Sequence, residues 1–323
     1  MKAIVQTEYG SPEVLRLAEV DKPVPQDNEV RVKVQAASVN ASDWHLMRGA
    51  PFLLRLMFGG LFKPTVKTLG ADVAGRVEAV GKDVTQFQPG DEVFGDLSEC
   101  GFGTFAEYVC ADETAWVLKP ATVTFEQAAA VPAAAMAALQ ALHDCGQVQP
   151  GQTVLVNGAS GGVGSFAVQI AKAFGAEVTG VGSTQKLDML REIGADHVID
   201  YTQAAVTQTG QQYDLIVDAA AYRSFFDYLP ALRPEGTYVV VGGATAPFFQ
   251  AMLLGSWVSK INHRSVKCLA MTPNQDDLAT VKELLAAGKI TPFIDRTYDL
   301  SEVPAAIRHL EQRQVQGKVA IRV

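Results

Sequence analysis

Residues 153–172, TVLVNGASGGVGSFAVQIAK, decide the fold of this chain. Val154-Leu155-Val156 is a short continuous apolar run, the mark of a strand buried in a parallel sheet. Gly158, Gly161, Gly162 and Gly164 follow at once. Phe166-Ala167-Val168 and Ile170-Ala171 then repeat apolar residues at helical spacing. Strand, glycine turn and helix in that order form the opening unit of a dinucleotide-binding βαβ fold. In Ala159-Ser160-Gly161-Gly162-Val163-Gly164, alanine stands where the first glycine of G-x-G-x-x-G is usual. Of the glycines, one permits the tight turn, one lets the backbone approach a pyrophosphate, and one lets helix pack on strand. The helix N-terminus offers unpaired N–H groups and a positive dipole end to the phosphates. A glycine turn that serves only packing is the alternative, so context decides.

That context is a series of strands at βα intervals. Glu177–Val181, Val198–Asp200, Leu215–Asp218 and Tyr238–Gly243 each read as buried strands, with a helix-like segment over Lys186–Ile193. Alternation at this interval predicts a doubly wound parallel sheet, an α/β fold. Upstream, the chain is β-rich. Glu29–Ala36 alternates as a half-buried strand, Gly75–Gly81 is bounded by glycine, Phe87–Phe94 runs from a Pro-Gly turn into a strand, and Ala106–Val109 is short. These predict a compact barrel-like domain. Phe125–Cys145 is alanine-rich and helical. After a strand near Val266–Met271 and a helix over Gln275–Ala287, the remainder is too short to fold alone and returns to the first domain. The expected division is 1–123, 124–289 and 290–323.

Composition excludes several classes. The net charge of −8 is dispersed, with no basic run for nucleic acid. No apolar stretch spans a bilayer, and no leader-like segment precedes the first strand, so a cytoplasmic protein is expected. Cys100, Cys110, Cys145 and Cys268 form no C-x-x-C pair, which argues for free thiols rather than disulfides or a zinc lobe.

Across nearly its whole length the chain resembles the medium-chain dehydrogenase/reductase superfamily, in its zinc-independent quinone oxidoreductase branch. The resemblance rests on Ala37-Ser38-Val39-Asn40-x-Ser42-Asp43, on the segment from Leu69 to Gly81, and on Phe87-x-x-Gly90-Asp91-x-Val93. It continues through Gly103-x-Phe105-Ala106-Glu107-Tyr108, the glycine turn, Ile193–Tyr201 and Gly317-Lys318-Val319. It implies a GroES-like catalytic domain, a Rossmann domain and a nicotinamide cofactor between them. It also implies a homodimer paired through the edge near Val266–Met271, and cofactor contacts from Tyr201, Gly242, Gly243 and Lys318. Zinc-dependent relatives carry a ligand cysteine at Asn40 and Gly-His-Glu at Gly70-Ala71-Asp72. Asn and Ala are poor or impossible zinc ligands, so no metal is expected.

The end of the second strand decides the cofactor. NAD binders place a carboxylate there for the ribose 2′-OH. Here the sequence is Gly182-Ser183-Thr184-Gln185-Lys186, with two hydroxyls and a lysine, which suits the 2′-phosphate of NADPH. Ser183 and Thr184 as helix caps are the bland alternative. For chemistry, Asn40 is a candidate hydrogen-bond donor to a developing oxyanion, or else a turn residue bonding its own backbone. Asp43 is a candidate catalytic group or a helix N-cap. His45 is a candidate donor of a hydrogen bond or proton, or else a surface or packing histidine on the Trp44–Met47 turn. The apolar stretches Pro51–Phe58 and Pro247–Leu254 predict a small hydrophobic, electrophilic substrate, or else ordinary packing or a dimer contact. The expected activity is NADPH-dependent reduction of quinones or α,β-unsaturated carbonyls. A carbonyl or alcohol oxidoreductase and a non-catalytic NADPH-binding protein are the rivals.

Overall fold

A computed structural model of the chain describes residues 1–57 and 60–323. Phe58 and Gly59, at the end of the first apolar stretch, lie outside the described residues. Contacts divide the chain into two units. The first holds Met1–Ala133, Pro273–Ala286 and Ile294–Val323; the second holds Ala134–Thr272 and Ala287–Phe293.

The first unit opens with β1 (Lys2–Val5), β2 (Arg16–Glu19), β3 (Glu29–Val39), β4 (Asp72–Val80), β5 (Glu92–Asp96), β6 (Tyr108–Asp112) and β7 (Trp116–Leu118). Helices α1 (Ala41–Arg48) and α2 (Leu53–Met57) separate β3 from β4, and α3 (Phe125–Ala129) follows β7. The second unit contributes α4 (Pro132–Gln140, its first two residues still in the first unit), β8 (Thr153–Asn157), α5 (Gly162–Ala173) and β9 (Glu177–Gly182). It continues with α6 (Leu187–Glu192), β10 (His197–Asp200), β11 (Tyr213–Asp218), β12 (Leu232–Val240), α7 (Thr245–Asn262) and β13 (Ser265–Cys268). The chain then adds α8 (Gln275–Ala286), β14 (Ile294–Asp299), α9 (Val303–Glu311) and β15 (Lys318–Arg322) to the first unit.

In the second unit the sheet order is β10-β9-β8-β11-β12-β13, all parallel, reversing direction of growth at β8. Its core joins Leu155, Ile216, Phe225 and Tyr238. In the first unit the order is β14-β15-β3-β4-β5-β7, with β6 on β3 and a separate β1-β2 pair. Val32, Val73, Val93 and Trp116 fill one face, and Val39, Met47, Phe105, Ile307 and Ile321 the other. Two expected boundaries shift. Helix α8 joins the first unit rather than the nucleotide domain, because Gln275 Nε2 donates to Gln86 Oε1 (2.9 Å) and to the Trp116 carbonyl (3.0 Å). The first crossover comes after Ala133, ten residues beyond the expected 123, because α3 packs on β3 and β4.

Candidate functional site

The first unit gathers a polar cluster where three strands meet. Ser38 lies opposite Asp72 in the β3-β4 register, and Val319 opposite Val39 in the β15-β3 register. The same antiparallel register brings Lys318, one residue before Val319, to Asn40. Lys318 Nζ donates to Asn40 Oδ1 (2.5 Å) and Asp72 Oδ2 (3.1 Å). Asn40 Nδ2 donates to Asp72 Oδ2 (2.9 Å), as does Ser38 Oγ (2.9 Å), and the Ala133 N–H donates to Asp72 Oδ1 (2.8 Å). Lys318 is 3% exposed and Asp72 fully buried. An ammonium has only donors and a carboxylate only acceptors, so together they fix which way the Asn40 amide points. Its oxygen is committed to Lys318 and one N–H to Asp72. The second N–H has no partner among the described residues, and Asn40 is half-exposed.

Asp43 is not the N-cap of the helix that its sequence position suggests. Helix α1 starts at Ala41, so Asn40 is the N-cap and Asp43 sits at the third helical position, closing a capping box. Its oxygens accept the Asn40 N–H (2.7 Å) and the Gly70 N–H (3.0 Å), and it is fully buried. It clamps the backbone that carries Asn40 to that of Gly70. Burial pushes its carboxyl up to about 7, against the pull of the two backbone hydrogen bonds and Lys318, while the charge on Asp72 adds to the rise. Asp96 lies beside Asp72 in the β4-β5 register, accepts from the Ser98 N–H (2.8 Å) through Oδ1, and leaves Oδ2 buried without a partner among the described residues. Burial and the Asp72 charge push it up to about 6.

His45 stacks on Trp44, with ring centroids 3.6 Å apart, and its Nδ1 lies 2.8 Å from the Ala50 carbonyl. A carbonyl only accepts, so Nδ1 carries the proton and Nε2 a lone pair. Burial lowers the ring's pKa and favours this neutral form. In this neutral form His45 presents an acceptor at Nε2. Lys318, expected on the cofactor, has its ammonium committed to Asn40 and Asp72.

In the second unit the glycine turn joins β8 to α5. A Cβ at Gly164 would stand 2.1 Å from the Gly158 carbonyl oxygen, so helix–strand packing itself demands glycine there. At Gly161 a Cβ would meet only that same oxygen at 3.4 Å, an ordinary contact, and the backbone is extended. The fold itself does not require a bare backbone at Gly161. Gly242, whose Cβ would find only the Ala219 carbonyl at 3.8 Å, is open in the same way. Ala159, in place of the first glycine, is buried and ties its N–H to the Val181 carbonyl (3.1 Å). Ser160 is buried beside it, Gly162 and Val163 form the first turn of α5, and Gly243 follows β12. Below the turn lies a group that sequence reading missed. Buried Asp218, at the end of β11, accepts from Asn157 Nδ2 (2.7 Å), from the Ala220 N–H (3.0 Å) and from the Tyr238 hydroxyl. It fastens the carboxyl ends of β8, β11 and β12 together, the edge at which such sheets bind ligands.

At the end of β9, Ser183 precedes a short 3-10 turn over Thr184–Lys186 and makes no side-chain cap. Thr184 Oγ1 instead donates to Asp200 Oδ2 (2.5 Å). Thr202 donates to Asp200 Oδ1 through its N–H (2.9 Å) and hydroxyl (2.7 Å), and the Tyr201 N–H bonds the Gly182 carbonyl (3.1 Å). The Tyr201 ring is 56% exposed. A polar groove of about 350 Å³ lies at the opposite, amino ends of the strands, lined by Thr153, Glu177, His197 and Arg233, away from the cradle. The apolar stretches are surface-facing. Phe52, Leu53 and Leu56 are exposed around α2, and Phe249, Met252, Leu253 and Trp257 on α7. The buried face of α7 is Ala251, Gly255 and Val258, with Gly255 against Val266. Among the described residues no helix is long and apolar enough to cross a membrane, and no group of three His, Cys, Asp or Glu side chains could hold a metal.

Comparison with known proteins agrees with this anatomy. Residues 26–121 match the alcohol dehydrogenase GroES-like domain family, and residues 193–321 match the zinc-binding dehydrogenase family. The mouse mitochondrial NAD(P)H oxidoreductase RTN4IP1 is 34% identical, over 100% of this chain and 89% of its own. The Arabidopsis thaliana chloroplastic NADPH-dependent alkenal/one oxidoreductase is 32% identical, over 99% of this chain and 79% of its own. The quinone oxidoreductase structure from Coxiella burnetii superposes with a TM-score of 0.89 at 31% identity, covering 100% of this chain and 99% of that one. Full-length identity to such relatives, carried on these two units, places the chain in the medium-chain dehydrogenase/reductase superfamily, in its quinone oxidoreductase branch.

Proposed function

We propose that this protein is an NADPH-dependent reductase of quinones or α,β-unsaturated carbonyls that works without zinc. The observation that carries the reading is the Asn40 amide, locked between Lys318 and Asp72 with one N–H left to donate. Bound at the glycine turn, NADPH supplies the hydride. The chain supplies position and polarity. Asn40 donates to the substrate oxygen as negative charge develops on it, an effect strongest for a donor that is already oriented. Lys318 and Asp72 hold the amide, and Asp43 holds its backbone. Solvent provides the balancing proton, since His45 accepts in its neutral form. A zinc ion fits poorly here, because the Lys318 ammonium already stands between the oxygens of Asn40 and Asp72.

The names of the relatives support the cofactor and the substrate class. The four cysteines are free, which supports a reducing cytoplasmic compartment. Among the described residues strand β13 ends its sheet, and its place beside the apolar face of α7 supports a homodimer, which light scattering reads directly. The function is tested by NADPH absorbance with a panel of quinones, enones and aldehydes, with and without chelator. Quinones or enones consume NADPH regardless of chelator, and Asn40→Ala lowers kcat by about a hundredfold while NADPH still binds. Tight NADPH binding with no acceptor reduced would make this a binding protein instead, and turnover lost to chelator would restore a metal.

A further inference from the structure

From Trp44 to Ala71 the chain holds no Asp or Glu, yet it holds Arg48, Arg55, Lys63 and Lys67, in a protein whose net charge is −8. The same stretch exposes its apolar side chains. Phe52 is 60% exposed, Leu56 58% and Phe62 87%, and Leu53 and Leu61 are exposed with them. Leu53 and Leu56, three apart on α2, share a face. These side chains stand on a fixed frame. Arg55 lies over the Tyr9 ring, 4.4 Å from its centroid, and its Nε donates to the Gly49 carbonyl (2.9 Å). The Tyr9 hydroxyl donates to the Gly60 carbonyl (2.5 Å), and the Gly60 N–H to the Arg55 carbonyl (2.8 Å). Arg48 is neutralised by Glu311. Lys63 and Lys67 are exposed and have no ion pair among the described residues. The segment Gln6–Tyr9, which donates to the Val66 and Lys67 carbonyls through Gln6, adds one acid, Glu8.

We propose that residues 52–67 form a docking surface for the headgroup region of an anionic lipid bilayer. Phenylalanine and leucine side chains gain by entering that region, and lysines beside them are drawn to its negative charge. A second copy of the chain fits the patch less well, because it would set the same cations against Lys63 and Lys67. The inference depends neither on the cofactor nor on the acceptor that is reduced.

Sedimentation of the full chain with vesicles tests it. The vesicles are phosphatidylcholine alone, or phosphatidylcholine with about 30% phosphatidylglycerol, at about 0.05 and 0.5 M salt. Wild type binds the anionic vesicles at least about tenfold more tightly than the neutral ones, and high salt removes most of the difference. Lys63→Ala and Lys67→Ala each weaken binding to the anionic vesicles about fivefold. Phe62→Ser weakens it about tenfold, and circular dichroism confirms that each variant is folded. No binding to anionic vesicles overturns the proposal, as does binding that the lysine variants leave unchanged. Binding that Phe62→Ser leaves unchanged overturns it too, since charge alone would then hold the protein. If Phe62→Ser lowers the mass seen by light scattering and not the vesicle binding, the patch joins copies of the chain and the lipid assignment falls.

Discussion

The two units each place a lysine, an aspartate and small polar side chains at strand ends, yet the two groups are built for different work. In the first, Lys318 and Asp72 are buried, and Asp72 accepts from four donors. In the second, Thr184 and Tyr201 are exposed, and Asp200 accepts from hydroxyls in reach of water. Burial separates them. A charge pair in the interior is held in one geometry and is costly to unbalance. The same groups near water are screened, contribute little to folding, and are left to choose between ligands. The buried group fixes the Asn40 amide in one orientation; the exposed group lies open to solvent.

The largest effect expected from this contrast is at Lys318. Lys318→Met strands Asp72 as a buried carboxylate without its cation and destabilises the protein by about 3–5 kcal/mol. Asp43 and Asp96 lose the same cation, which helps keep both ionised. Adding Asp72→Asn removes the stranded charge, so the double variant recovers most of the loss. Urea unfolding of the four proteins measures the coupling. Additive losses would mean that the pair is not a unit and that the buried–exposed contrast is overstated.

A smaller effect concerns pH. Asp96 is buried beside Asp72 and Lys318, and its carboxyl is raised to about 6 from an ordinary 3.8. Between those values the folded chain binds a proton that the unfolded chain has released. Stability from this group is therefore present below about pH 4 and lost as pH rises through about 6. Asp96→Asn cannot ionise. Relative to it, wild type loses about 1.4 kcal/mol per pH unit within that window. Unfolding midpoints from pH 4 to 7 read the difference; a constant offset would report packing alone, and parallel curves would remove the proton from the account.

Local pattern made much of this legible. The glycine turn, the strands of the parallel sheet and the helix after them follow from residues within twenty positions of one another. Asn40 stood out by its motif. Its orientation did not, because Lys318 and Asp72 are 246 residues apart and meet only when β15 pairs with β3. Asp43 resembled a cap, but Asn40 starts the helix three residues earlier, which turns the aspartate inward. Gly182–Lys186 holds no carboxylate, while Asp200, on the next strand, lies beside Gly182 only through the parallel pairing of β10 with β9. Asp218 was hidden in the same way, as the last residue of an apolar strand whose polar partners come from two others. Sequence displays what an element is, while charge partners depend on which elements become neighbours.

Salt brings the smallest expected effect and the most direct comparison of the two groups. Screening acts over about 10 Å at 0.1 M ionic strength and reaches exposed charges far more than buried ones. The pyrophosphate is common to NADPH and NADH, so its salt dependence cancels in the ratio of their affinities. If the adenosine ribose lies at Ser183–Lys186, what remains is the 2′-phosphate against the half-exposed Lys186 and Asp200. Moving from about 0.05 to 0.5 M salt shifts that ratio only a few-fold, and in opposite directions for Lys186→Ala and Asp200→Asn, because one keeps the repulsion and the other the attraction. The Lys318–Asp72 coupling, measured by the same cycle at both salts, stays constant within about 0.5 kcal/mol, the usual error of such cycles. A salt-independent ratio in every variant would mean that neutral donors in a dry pocket read the phosphate, and the second group would have to be treated like the first. A coupling that collapses in salt would mean that ions reach Lys318, and the orientation of Asn40 would then rest on something other than burial.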